Sequence, residues 1–143
     1  MKQTLESAPD LCRIALWQHP RFTSSPNYDG IGKLGPMYDL LYNAKTDVLL
    51  VGNSHHYERF ARLGPDGQPV DNGIRNFTVG TGGAPLTDFA AEPLAGSEVR
   101  NSESFGVLRL TLLPGEYSWE FLPATPESTL QDSGTSTCVR AES

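Results

Sequence analysis

At 143 residues the chain has the length of a single domain, long enough to bury a real core. A formal charge of -6 disfavours nucleic acid as a partner, since phosphate backbones call for clustered Lys and Arg, and no apolar run is long enough to span a membrane. Hydrophobic residues at 38%, charged residues at 20%, 14 glycines and 11 prolines describe a folded, loop-rich chain.

Residues 1–7 lack the apolar region of an export signal, so no export address is expected in them and localisation is left open. Residues 12–17 form a nearly continuous apolar run that predicts a buried strand, stopped at Pro20 after Gln18 and His19. Ser, Pro, Asn, Asp and Gly then mark 21–32 as an irregular loop over the strand ends. Apolar residues at 34, 37, 41 and 44 predict a helix over 34–45, with Pro36 tolerated in its first turn. Val48, Leu49, Leu50 and Val51 predict a second buried strand over 47–51. A strand, helix, strand unit of this kind has parallel strands, so Gln18-His19 and the polar residues 53–56 emerge at one sheet edge, where ligands approach open α/β sheets.

Tyr57, Glu58, Arg59 and Phe60 alternate as in a half-buried strand, and 64–69 is turn chemistry. Residues 74–79 predict a third strand leading into Gly80-Thr81-Gly82-Gly83, which lacks the lysine and following helix of a phosphate-binding loop and reads as a tight backbone crossing. A long polar loop is expected over 84–103. Two strands follow, over 104–113 with Leu108, Leu110 and Leu112 on one face and over 117–122 with Tyr117, Trp119 and Phe121 on one face, joined at Pro114-Gly115. The fold class is therefore α/β or α+β, a mixed sheet ending in an antiparallel hairpin, with 1–123 as the domain and 124–143 as an extended tail. Cys12 and Cys138 bracket almost the whole chain; they are either a bridge that ties the tail to the first strand or two unrelated thiols. Asn76-Phe77-Thr78 fits the glycosylation pattern but lies inside a predicted strand.

The residues from Gly52 to Phe60 carry the most chemistry, because a glycine at a strand end followed by His and amide side chains can aim imidazole nitrogens beyond the sheet. Gly52-Asn53-Ser54-His55-His56-Tyr57-Glu58-Arg59-Phe60 resembles the Gly-His-x-His-x-Tyr-Glu-Arg-Phe segment of calcineurin-like metallophosphoesterases of the purple acid phosphatase-related branch. Ile14 to Phe22, with Gln18-His19-Pro20-Arg21-Phe22, is similar to that family's strand ending in His-His-Pro-Arg-Phe. Gly73-Ile74-Arg75, Gly80 to Gly83, Ser97-Glu98-Val99-Arg100 and the hairpin continue the likeness in order, which identifies the C-terminal half of the family's domain.

The resemblance implies half of a two-sheet sandwich with a flanking helix. It also implies a two-metal hydrolase that holds Fe, Zn or Mn at strand ends and attacks phosphoesters with metal-bound hydroxide. The motifs that the family's first half supplies, including the bridging carboxylate, do not occur; the nearest pairs, Asp29-Gly30 and Asp66-Gly67, are reversed and in loops. Of the implied ligand positions only His55 keeps its imidazole, whereas Asn53 and Gln18 carry amides, weak neutral oxygen donors for a transition metal. His19 and His56 fall on neighbouring positions and read as packing or loop residues, and Arg59 pairs with a carboxylate in a structural or site-orienting role. The expectation is a degenerate, catalytically silent phosphoesterase portion. The alternatives are a non-catalytic module that associates through the exposed sheet of the half-sandwich, with itself or another chain, and complementation by a separate N-terminal half.

Overall fold

The computed structural model describes residues 11–26 and 32–139. The expected start 1–7, Asp29-Gly30 in the loop 21–32 and the last residues of the tail lie outside the described residues. Among the described residues eight strands and one α-helix occur, in the order β1 (Ile14–Trp17), α1 (Gly35–Asn43, after a single 3-10 turn), β2 (Val48–Val51), β3 (Tyr57–Leu63), β4 (Ile74–Val79), β5 (Ser97–Asn101), β6 (Gly106–Leu113), β7 (Glu116–Pro123) and β8 (Ser133–Thr137). They build a five-stranded mixed sheet, β1-β2-β4-β3-β5, and a three-stranded antiparallel sheet, β6-β7-β8. The fold is mixed α+β: helix, sheet and sheet in three layers.

Strand β1 runs parallel to β2 and β2 parallel to β4, as the strand, helix, strand reading requires. Side-chain alternation divides the two faces of this sheet. Leu49, Val51 and Ile74 pack with Tyr38 and Leu41 of α1. Val48, Tyr57 and Phe77 pack with Tyr117, Trp119 and Phe121 of the second sheet. Burying side chains of this size stabilises by about 1.5–3 kcal/mol each, so the aromatic layer between the sheets is the main core.

Several expectations are corrected. The buried helix face is Tyr38 and Leu41, while Met37 and Leu40 are exposed, because the Tyr38 hydroxyl is drawn inward to the Leu63 carbonyl and Asn76 and its ring packs edge-on against Phe22. Lys45, at φ 57°, ends the helix before its predicted limit. The expected polar loop 84–103 contains β5, which is an outer strand whose exposed positions carry Glu98 and Arg100 and so lacks apolar alternation. The tail contains β8, paired along β7 from Glu116 to Glu120. Strand β1, expected to be buried, is the edge of its sheet and leaves Leu16 77% exposed. On β6, Leu108 and Leu110 pack on the core but Leu112 faces solvent.

Other expectations agree with the structure. Leu113 pairs with Glu116 across Pro114-Gly115, and Gly115 at φ 78° supplies the positive angle that the turn needs. Cys12 and Cys138 form a disulfide. Asn76 is buried and donates its amide to the Tyr38 hydroxyl and the Ile74 carbonyl, which leaves no room for a glycan. No helix among the described residues is long and apolar enough to cross a membrane.

Candidate functional site

The C-terminal ends of the three parallel strands meet at one edge of the larger sheet. Strand β1 delivers Gln18 and His19, β2 delivers Gly52 to His56, and β4 delivers Gly80 to Gly83. The Gly52 amide donates to the Gln18 carbonyl at 3.1 Å, and a methyl placed on Gly52 would lie 3.5 Å from Gln18 Oε1. The loop then folds tightly, with the Ser54 amide on the Gly52 carbonyl and the His56 amide on the Ser54 carbonyl. Asn53 takes φ 63°, a left-handed conformation that Asn, Asp and His adopt more readily than other side chains. Strand β4 locks the loop from beside it: the Gly80 amide donates to the His56 carbonyl at 3.0 Å, and a Cβ at Gly80 would sit 1.9 Å from the Ser54 carbonyl oxygen. Gly80 is thus a close backbone crossing, as its sequence context predicts.

His55 is half-buried, with Nδ1 3.0 Å from the Pro85 carbonyl oxygen. A carbonyl can only accept, so Nδ1 carries the proton and Nε2 keeps its lone pair. Metal-ligating histidines are held in this same way, one ring nitrogen on a backbone carbonyl and the other on the ion. His55 therefore suits a metal. Asn53 and Gln18 are brought to the same edge but offer only amide groups. Among the described residues, the one group of three His, Cys, Asp or Glu side chains close enough to share an ion lies elsewhere, at Cys12, Asp47 and Cys138. Among the described residues, those around His55 do not make a complete transition-metal site, for which about three protein ligands are the usual minimum.

The other candidates separate. His56 is fully buried and stacks on Phe89 with ring centroids 4.0 Å apart, while Arg100 covers the same Phe89 ring at 5.2 Å. Burial pulls His56 down to about 4, the Thr87 backbone opposing this in part, so the ring is neutral at physiological pH. His19 is exposed, and its carbonyl accepts the Trp17 indole N–H at 2.7 Å. Arg59 points to the opposite side of β3 from His56, into the space between the sheets, where it pairs with Asp132 and Glu98. Its carboxylate pairing ties the two layers together.

Sequence reasoning passed over Glu58, which organises the loops beneath the site. It is fully buried and accepts from the Ser24 amide at 2.9 Å, the Ser24 hydroxyl at 2.5 Å and the Ser97 hydroxyl at 2.7 Å. These bonds fix the loop after β1 to β3 and β5. A glutamate among alternating polar positions gives no sign that it faces inward, so no sequence signal marks it. Pro85 and Phe89, which position His55 and His56, lie in a segment whose composition signals only a loop.

No family model matches the chain. It is 32% identical over 114 residues to Purple acid phosphatase 22 of Arabidopsis thaliana, an alignment that takes in 74% of this chain and 26% of that protein. Its fold superposes on purple acid phosphatase PPD1 from yellow lupin (Lupinus luteus) seeds with a TM-score of 0.76 at 22% identity, over 95% of this chain and 27% of the other. GAP50, the anchor in the inner membrane complex of Plasmodium, matches with a TM-score of 0.72 at 18% identity, over 99% of this chain and 41% of the other. The chain thus spans about a quarter of the length of the curated relative it matches.

Proposed function

Because this chain corresponds to a C-terminal portion of a purple acid phosphatase-like metallophosphoesterase, we propose that it is the scaffold part of such a protein with a degenerate metal edge, silent as a hydrolase by itself. The observation that carries this is the ligand set at the sheet edge. His55 keeps a metal-ready orientation, while Asn53 and Gln18 stand where the resemblance implies imidazoles. When bound, the Fe, Zn or Mn pair that the resemblance implies would supply a hydroxide nucleophile and charge stabilisation at phosphorus. This chain's own contribution is His55, held by Pro85, on a loop braced by Gly80. Metal analysis of the oxidised chain together with turnover of p-nitrophenyl phosphate tests the proposal. Substoichiometric metal and no chelator-sensitive turnover are expected; one equivalent of metal at the His55 edge with turnover lost in His55→Ala overturns it.

A second reading rests on an apolar edge that no further strand covers among the described residues. Strands β1 and β6 are terminal in their sheets, with Leu16 77% and Val107 58% exposed. Together with Leu50, Val79 and Leu108 they line a groove of about 420 Å³. An apolar strand edge of this kind recruits a further strand. It favours association with another polypeptide that continues the sheets, whether a second copy or a separate N-terminal half. Sedimentation should then reveal concentration-dependent association that Leu16→Glu abolishes, and a monomer at all concentrations argues against self-association.

A further inference from the structure

The end of the larger sheet away from the candidate site holds a different cluster. Cys12 just before β1, Asp47 just before β2 and Cys138 just after β8 place two sulfurs and a carboxylate oxygen within 4.8 Å of one another. The sulfurs are joined, with Cα atoms 5.4 Å apart. Asp47 is 1% exposed, and its carboxylate accepts the Arg13 amide at 2.7 Å through Oδ2 and the Val139 amide through Oδ1. Arg13 and Val139 are the residues that directly follow the two cysteines. One buried carboxylate therefore holds both sulfur-bearing segments in place independently of the bond between the sulfurs.

We propose that, when a dithiol reductant opens the Cys12–Cys138 bridge, the two thiolates and the Asp47 carboxylate form a site for one zinc-class divalent ion, with water as fourth ligand. The electron balance is simple. The dithiol gives two electrons and two protons and becomes a disulfide, the bridge becomes two thiols, and the ion then displaces both thiol protons into solvent. Tetrahedral zinc with sulfur ligands at about 2.3 Å requires sulfurs about 3.8 Å apart, so the freed sulfurs must separate, within a cluster whose three donors all lie within 4.8 Å of one another. Asp47 supplies the backbone restraint that keeps the segments together as this happens. Each carboxylate oxygen has a second lone pair beyond the one its amide uses, and such amide bonds orient a ligating carboxylate. Three anionic donors around a dication leave one negative charge, which the Arg62 and Arg13 guanidiniums near Asp47 offset. Arg62 is fixed there by Ser136 and the Thr137 carbonyl, next to Cys138.

The test uses the full chain, reduced anaerobically with a phosphine that does not chelate zinc, and the probes Zn²⁺ and Co²⁺ alone. The reduced chain should bind one equivalent, with a thiolate-to-cobalt charge-transfer band in the near ultraviolet, and the oxidised chain should show no such band. Asp47→Asn should weaken zinc binding at least tenfold, Cys12→Ser should lose the band, and His55→Ala should change neither. Absence of the band in the reduced chain, equal binding by the oxidised chain, or unaltered affinity in Asp47→Asn overturns the proposal. Should reduction unfold the chain, added zinc must restore a cooperative thermal transition; failure to do so also overturns it.

Discussion

The Tyr57 hydroxyl donates to Asp132 Oδ2 at 2.6 Å, joining a strand of the larger sheet to the segment that leads into β8. Arg59 grips the same carboxylate through Nε at 2.8 Å and a terminal nitrogen at 3.1 Å. Arg59 and Arg75 both lie over the Trp119 ring, at 5.1 and 4.9 Å, and share Glu98. Asp132 is thus a polar fastener beside the aromatic interlayer, gripped by both Tyr57 and Arg59. Asp132→Ala should leave the buried Tyr57 hydroxyl unpaired and the largely buried Arg59 guanidinium with Glu98 as its remaining carboxylate, costing about 3 kcal/mol in urea unfolding. Tyr57→Phe, which removes one hydrogen bond and keeps the ring, should cost about 1 kcal/mol. Equal effects of the two would refute the central place of Asp132.

Buried His56 makes folding sensitive to acid. Burial lowers its folded value to about 4, below the 6.5 of an exposed imidazole. Between those values the unfolded chain binds the proton and the folded chain does not, so stability falls as pH drops from about 6.5 toward 4. Glu58 lies 4.0 Å away but is already engaged by Ser24 and Ser97. The full penalty is of the order of 3 kcal/mol. His56→Gln cannot be protonated, so the stability difference between parent and variant should shift by about that amount across this window. A constant difference over the same range would show that His56 does not set the acid response.

Gly80 ties the sheet to the His55 loop through missing volume. Since an added methyl would meet the Ser54 carbonyl oxygen at 1.9 Å, backbone against backbone, no rotamer relieves the clash. Gly80→Ala should cost about 3 kcal/mol or displace residues 53–56, seen as a lower melting temperature or as amide shifts concentrated in that loop. Gly82→Ala has open space and serves as the neutral comparison.

The sequence pattern made β1, β2 and β4 legible because breakers follow their strand ends and because β1 and β2 are apolar runs, and the β6–β7 hairpin because Tyr117, Trp119 and Phe121 alternate. It hid β5 and β8 because their stabilising contacts are backbone pairing with β3 and β7 rather than apolar side chains. Strand β1 read as buried because composition reports hydrophobicity, whereas exposure depends on whether another strand lies beside it. At the site, the glycine-led turn and His55 were readable, since turn chemistry is local. Glu58 and Pro85 were not, because what they do depends on partners that only the tertiary fold brings near.

The edge proposed to be degenerate can be rebuilt, and the geometry says how. Position 53 already holds a left-handed backbone that histidine accepts, and position 18 lies against Gly52, at the root of the same loop. Asn53→His with Gln18→His would give His55 two imidazole neighbours, the three ligands that open zinc sites use. Outer-shell partners alone are worth about 10- to 100-fold in metal affinity, so two restored ligands should tighten Zn²⁺ binding by at least about tenfold over the oxidised parent. Isothermal titration of the oxidised double variant measures this, and adding His55→Ala should return the affinity to that of the parent. If the double variant binds no better than the parent, Asn53 and Gln18 do not occupy ligand positions. Phosphoester turnover is expected to remain absent even in the rebuilt chain, because one metal without the bridging carboxylate of a paired site cannot stabilise both the attacking and the leaving oxygens.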